Sequence, residues 1–199
     1  MSARDRLRAE KLRGGLLIGR EVVVLEETES TNNVVSEMAM GDWPEGLCVF
    51  AEHQTGGRGQ HGKKWESGAG KGLWFSILLR PKIDIKDSAR LTTWAAETVA
   101  KTIQDEFGVL AAVKAPNDVY VGDRKIAGVL AEMRAQAGAS HVAILGIGLN
   151  VNHAPGDFSE ELRDRAISLA IAQRRRVDRH LVAVALLRNL DQTYPAFFG

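Results

Sequence analysis

Hydrophobic positions along this chain follow two periods in turn, and their alternation predicts strands interleaved with helices. Val22-Val23-Val24-Leu25 reads as a strand, residues 46–54 as a second and residues 73–79 as a third, stopped by Pro81. After the first, Glu29-Ser30-Thr31-Asn32-Asn33 offers hydroxyl and amide caps for a helix ending near Gly41. Leu91, Ala95, Val99, Ile103 and Phe107 fall four apart, which lines them up on one face of a long helix over residues 87–107, closed by Gly108. Short strand-like runs follow at 109–113, 119–121 and 125–133, with a hairpin turn at Gly122-Asp123, and residues 141–149 form a further strand. Residues 158–173 read as an interrupted helix. Asp178 caps a final helix carrying Ala183, Leu186, Leu187, Leu190 and Tyr194.

Most neighbouring strands are joined by short turns instead of helical crossovers. The expected fold class is therefore α+β: a mixed, largely antiparallel sheet flanked by helices, in one domain over residues 1–199. With 26 basic and 25 acidic residues the formal charge is +1, which argues against the broad positive surface of a nucleic-acid binder. A single cysteine, Cys48, excludes an intrachain disulfide and fits a reducing compartment; its apolar neighbours Leu47, Val49 and Phe50 mark an inert thiol. No apolar run is long enough for a membrane span or signal peptide, so a cytoplasmic protein without a membrane partner is expected. His53, His61, His141, His153 and His180 are too scattered for metal-ligand spacing, and Arg174-Arg175-Arg176 reads as a solvated patch.

The chemistry concentrates in three segments. Residues 56–72 hold seven glycines with Arg58, Lys63, Lys64 and Lys71, a composition that lets backbone amides turn toward an anion. The segment misses a P-loop because Lys64 stands where Ser or Thr is required; a flexible linker is the plain alternative, but an arginine, three lysines and Trp65 suit a mobile lid better. Lys114-Ala115-Pro116-Asn117-Asp118 is an ordinary turn signal. The nearby Lys125, followed by Ile126-Ala127-Gly128-Val129-Leu130, would need an anionic partner to sit near the core, which a bound phosphate or carboxylate could supply. Gly146-Ile147-Gly148-Leu149-Asn150 lacks the third glycine of a dinucleotide fingerprint, and Asn150 offers an amide at a strand end to a nucleotide or hydrated magnesium.

Taken in order, Glu29-Ser30-Thr31-Asn32, Gln54-Thr55-Gly56-Gly57-Arg58-Gly59, Trp65, residues 114–118, Lys125 to Glu132 and Gly146 to Asn152 resemble biotin protein ligase over most of the chain. The resemblance implies that biotin and Mg-ATP form biotinoyl-5′-adenylate, after which a lysine of a biotin carboxyl carrier protein or domain attacks the mixed anhydride. It implies catalytic roles for Lys125 and Arg58 and a biotin site of Ser30, Thr31, Gln54, Gly57, Arg58, Trp65, Lys125 and Gly128. An ATP site of Arg58, Gln60, His61, Lys63, Trp65, Asn117, Lys125 and Asn150 follows in the same way, with magnesium carried by ATP and no protein metal cage. A homodimer is compatible with it. Gln60 stands where many members carry a second loop arginine, which implies a weaker hold on the adenylate, and Ala115 stands in place of a usual tryptophan. The segment before Val22 is too short for the winged helix of the repressor members, and a small C-terminal β domain is not expected. Lipoate ligases or octanoyltransferases, and a non-catalytic biotin-binding module, are the competing readings.

Overall fold

A computed structural model describes residues 6–135 and 141–199. Seven strands form one sheet in the order β1-β2-β3-β7-β6-β5-β4: β1 is Val22–Thr28, β2 Cys48–Gln54, β3 Gly72–Leu79, β4 Ala112–Lys114, β5 Asp118–Val121, β6 Arg124–Arg134 and β7 Val142–Asn150. β1 and β2 run parallel and the other neighbours antiparallel, so the expected mixed, largely antiparallel α+β sheet is the one found. The helices are α1 (Ala9–Leu12), α2 (Thr31–Met38), α3 (Ser88–Phe107), α4 (Leu169–Gln173) and α5 (Arg179–Phe198).

Alternation along the strands sorts side chains to two faces. Leu73, Phe75, Ile77 and Leu79 of β3 join Leu91, Val99 and Ile103 of α3 and Leu186 and Leu190 of α5 in the larger core. Leu78 of β3, with Val49 and Ile144, packs on the other face against Val35 of α2. The predicted helix α3 ends as expected, with Gly108 left-handed at φ 63°. The Asp178 carboxylate accepts the His180 N–H and caps α5.

A buried ion pair ties this core together. Arg179 Nη2 donates to Glu52 Oε2 at 2.7 Å, Arg179 Nη1 to the Gly72 carbonyl at 3.1 Å, and Glu52 Oε1 accepts the Leu7 N–H at 2.6 Å. One arginine thus fastens α5, β2, β3 and the N-terminal segment to one another.

Residues 158–173 depart from the expected interrupted helix, since only α4 is α-helical there. The preceding stretch gives its backbone to β6 instead: Lys125 N–H donates to the Arg165 carbonyl at 2.8 Å and Ile167 N–H to the Lys125 carbonyl at 2.9 Å. Two i→i−4 bonds do form there, Arg163 N–H to the Ser159 carbonyl and Ala166 N–H to the Leu162 carbonyl, but they do not run on as a helix, because the Arg165 carbonyl and Ile167 N–H are taken by Lys125. Strand β4 likewise begins three residues later than the pattern suggests.

Candidate active site

The parallel pair β1–β2 ends with Thr28 opposite Gln54, and the chain then leaves both strands on the same side of the sheet. Ser30, Thr31 and Asn32 follow β1 and the glycine segment follows β2, so the two segments read from sequence meet. Ser30 is the N-cap of α2 but makes no side-chain cap bond. The hydroxyl and amide of Thr31 and Asn32 turn instead toward the sheet. Thr31 N–H donates to Gln54 Oε1 at 2.8 Å, Thr31 Oγ1 lies 2.7 Å from Ser76 Oγ, and Ser76 Oγ donates to Asn32 Oδ1 at 2.6 Å. Gln54 Nε2 donates to Ser67 Oγ at 2.9 Å.

The glycine segment is folded down on the sheet. Trp65 N–H donates to the Gly57 carbonyl at 2.9 Å, Gly59 N–H to the Lys63 carbonyl at 2.7 Å, and Arg58 pairs with Lys64 as an isolated bridge around a single 3-10 turn, Gln60–Gly62. Arg58 reaches across to two other elements: Nη1 donates to Asn33 Oδ1 at 2.6 Å and Nη2 to Glu132 Oε2 at 3.3 Å. Gly57 is buried, and a Cβ there would stand 2.5 Å from the Trp65 carbonyl oxygen.

Gly128 of β6 and Gly148 of β7 face each other in register and make a floor without side chains. Trp65 lies on it, for a Cβ at Gly148 would meet Trp65 Cε2 at 2.5 Å and one at Gly128 would meet Cζ3 at 2.8 Å. The indole N–H of Trp65 is buried with no hydrogen-bond partner among the described residues. Trp74 meets the Trp65 ring edge-on with centroids 6.2 Å apart. Gly148→Ala is expected to lift the indole, costing about 1–3 kcal/mol and raising the acrylamide-accessible tryptophan fluorescence, whereas Gly156→Ala, with open space around it, leaves both unchanged. Equal quenching in the two variants would show that Trp65 does not rest on the floor.

Lys125 closes the group. Its Nζ lies 5.2 Å from the Trp65 ring centroid and 2.6 Å from Asp118 Oδ1, an ion contact outside hydrogen-bond alignment. The anionic partner that the sequence demanded is thus supplied by the chain's own turn. Asn117 Nδ2 donates to the Val129 carbonyl at 3.2 Å and fastens that turn to β6, while Lys114 lies over the Tyr120 ring. Asn150 is buried at the end of β7. Gln60 is half-buried and Lys63 exposed on the folded segment; the His61 side chain lies outside the described residues. Burial pushes the Cys48 thiol well above its ordinary range, which leaves it inert.

Ser76, Asn32, Ser67, Asp118 and Glu132 are functional candidates that local pattern did not single out. The best sequence signal was Glu132, a charge on the same strand face as Gly128. Among the described residues no group of three or more His, Cys, Asp or Glu side chains could hold a metal ion, and no helix is long and apolar enough to cross a membrane.

This constellation and sheet define a class: the chain belongs to the biotin/lipoate A/B protein ligase family, whose model matches residues 24–150. It is 35% identical over 95% of its length to the bifunctional ligase/repressor BirA of Bacillus subtilis, and spans 59% of that protein. It is also 35% identical to the biotin–[acetyl-CoA-carboxylase] ligase of Mycobacterium tuberculosis, covering 96% of this chain and 73% of that protein. The biotin protein ligase of Aquifex aeolicus, solved in complex with biotin and ATP, superposes with a TM-score of 0.73 at 30% identity, over 88% of this chain and 72% of the other.

Proposed function

We propose that this chain is the catalytic part of a biotin protein ligase. The observation that carries the reading is one juxtaposition: Trp65, its indole N–H unpaired, lies over a glycine floor with the fixed cation Lys125 against its ring, while Gly57, whose carbonyl accepts the Trp65 N–H, lies against Gln54, which in turn holds Thr31. In this reading the bicyclic head group of biotin sits beside Thr31 and Gln54 and its carboxylate at Lys125.

In this reading biotin carboxylate attacks the α-phosphorus of ATP and pyrophosphate leaves, giving biotinoyl-5′-adenylate. A lysine amine of a carrier domain then attacks the acyl carbon, AMP leaves and the amine loses a proton. Lys125 leaves Asp118 for the carboxylate and α-phosphate and stabilises the charge that grows there. Gly57 offers its backbone close to the ligand, and Arg58, held by Asn33 and Glu132, fastens the covering segment. Gln60, Lys63 and Asn150 face the nucleotide side. Asn150 would offer its side-chain oxygen to a magnesium ion bound with the triphosphate, and such an ion would screen the phosphate charge. No protein nucleophile takes part, so catalysis is positioning and electrostatics.

Pyrophosphate release tests the proposal. With ATP and biotin together, release and a biotin adenylate are expected; with ATP and lipoate, neither. Biotin binding without pyrophosphate would reduce the chain to a binding module, and release driven by lipoate would move it to the other branch of the family.

A further inference from the structure

The two ends of the proposed site are joined by a strip that a side chain already fills. At one end Thr31 Oγ1 stands 2.7 Å from Ser76 Oγ, and Ser76 pairs in register with Gly146. Gly148 lies two residues further along β7, on the same face and about 7 Å away. Gly128 is its neighbour on β6, and a Cβ there would stand 3.4 Å from Lys125 Nζ, at the other end. A ligand that puts its head at Thr31 and Gln54 and its carboxylate at Lys125 must cross Gly148 and Gly128 in between.

The indole of Trp65 occupies that crossing. A carbon at the Cβ position of Gly148 would stand 2.5 Å from Trp65 Cε2 and 2.6 Å from Nε1, and one at Gly128 would stand 2.8 Å from Cζ3. Non-bonded carbons settle at about 3.5–4.0 Å, so no methylene fits between the ring and the floor. The ring is held down from three sides. Its backbone N–H donates to the Gly57 carbonyl at 2.9 Å, Trp74 meets it edge-on with centroids 6.2 Å apart, and Lys125 Nζ lies 5.2 Å from its centroid. One group opposes this: the buried indole N–H has no partner among the described residues, and lifting the ring would return it to water.

We infer that Trp65 is an autoinhibitory plug, seated in the path of the valeryl tail, and that biotin enters only when the covering segment rises and carries the indole off the floor. This rests on the biotin reading above, because the path is defined by a ligand reaching from Thr31 and Gln54 to Lys125. Once the tail lies on the two glycines, the indole settles on the tail, so the residue that blocks entry then slows exit. An ordinary lid is exposed until the ligand buries it. A plug is shielded at the outset and is lifted by the ligand, which reverses the sign of the change. Entry through a minor open form also lowers the apparent association rate by the fraction that is open.

Two measurements on the whole chain test this, with thermal unfolding recorded for every variant. Acrylamide quenching of the wild type against Trp65→Phe isolates the fluorescence of position 65. That signal is expected to be shielded in the protein alone and to become more accessible when biotin saturates; accessibility that falls or stays the same overturns the inference. Rapid mixing with tritiated biotin, chased with unlabelled biotin, gives the association rate without any tryptophan signal. Trp65→Ala is expected to associate roughly tenfold faster or more, the inverse of an open fraction of about a tenth or less, and to release biotin faster as well. Trp65→Leu takes its place if the alanine variant does not fold. An association rate within about twofold of the wild type in the folded variant overturns the inference and leaves the biotin reading standing. A wild type that binds no biotin overturns that reading, and the inference with it.

Discussion

Lys125→Met is expected to lower the rate of biotin-dependent pyrophosphate release by about 10²–10³-fold, the usual effect of deleting one preorganised group aimed at developing charge. The side chain is held between Asp118 and the Trp65 ring, and a Cβ at Gly128 would stand 3.4 Å from its Nζ. Methionine keeps the length and apolar stem, so Trp65 retains its neighbour and the floor is undisturbed. The Asp118 side chain is about a quarter exposed, but the Oδ1 that faces Lys125 is itself buried, so a cost in stability is also expected and thermal unfolding is measured beside the rate. Biotin affinity should fall less than the rate, because the hydrogen bonds of Thr31 and Gln54 do not involve Lys125. Single-turnover adenylate formation beside equilibrium biotin binding separates the two. A variant whose rate falls only as far as its biotin occupancy would make Lys125 a binding group without a share in the chemistry.

The larger effect on folding is expected at Arg179. Arg179→Met should cost about 3–5 kcal/mol, because it leaves the Glu52 carboxylate buried without its charge partner. For a chain of this size that is a fall in Tm of about 6–20 °C. Both side chains are shut away, at 1% and 3% exposure, so solvent cannot take the place of the lost guanidinium. Adding Glu52→Leu should recover part of the loss, since a pair of apolar residues often replaces a buried ion pair at little cost. The recovery is incomplete because the Leu7 N–H loses its acceptor. Scanning calorimetry of both variants checks this; a Tm within about 2 °C of the wild type for Arg179→Met would show that the pair adds little.

What the sequence disclosed, and what it hid, divides by the range of the contacts. Helix α3 and strands β2, β3 and β7 were readable because their periods are local, and Gly108 and Asp178 end or start helices by local chemistry. The glycine segment and Lys125 were readable as chemistry because charge amid apolar or glycine-rich surroundings is itself a signal, whereas Gln54 and Thr31 became site candidates only through the family resemblance. Three features were hidden. Arg165 and Ile167 bond through their backbones to Lys125, some forty positions away, and this lateral pairing stops the turns before them from running on as a helix. Thr31 and Asn32 looked like helix caps, yet their side chains answer to Ser76 and Glu132, 45 and 100 positions along the chain. Asp118 read as a turn residue, and only the folded hairpin brings it to Lys125.

Those separations also bear on how the pocket comes into being. The parallel β1–β2 pair sets Thr31 beside Gln54 early in the chain, but the Asn32 amide next to Thr31 is held by Glu132 in β6, which joins β3 through β7. Contacts this distant in sequence carry a loop-closure cost that has to be met before they form. The hydrogen-bonded set of Thr31, Ser76, Asn32 and Glu132 is therefore complete only once β6 is in place, and a fragment ending before β6 would hold Thr31 and Gln54 without the bond from Asn32 to Glu132.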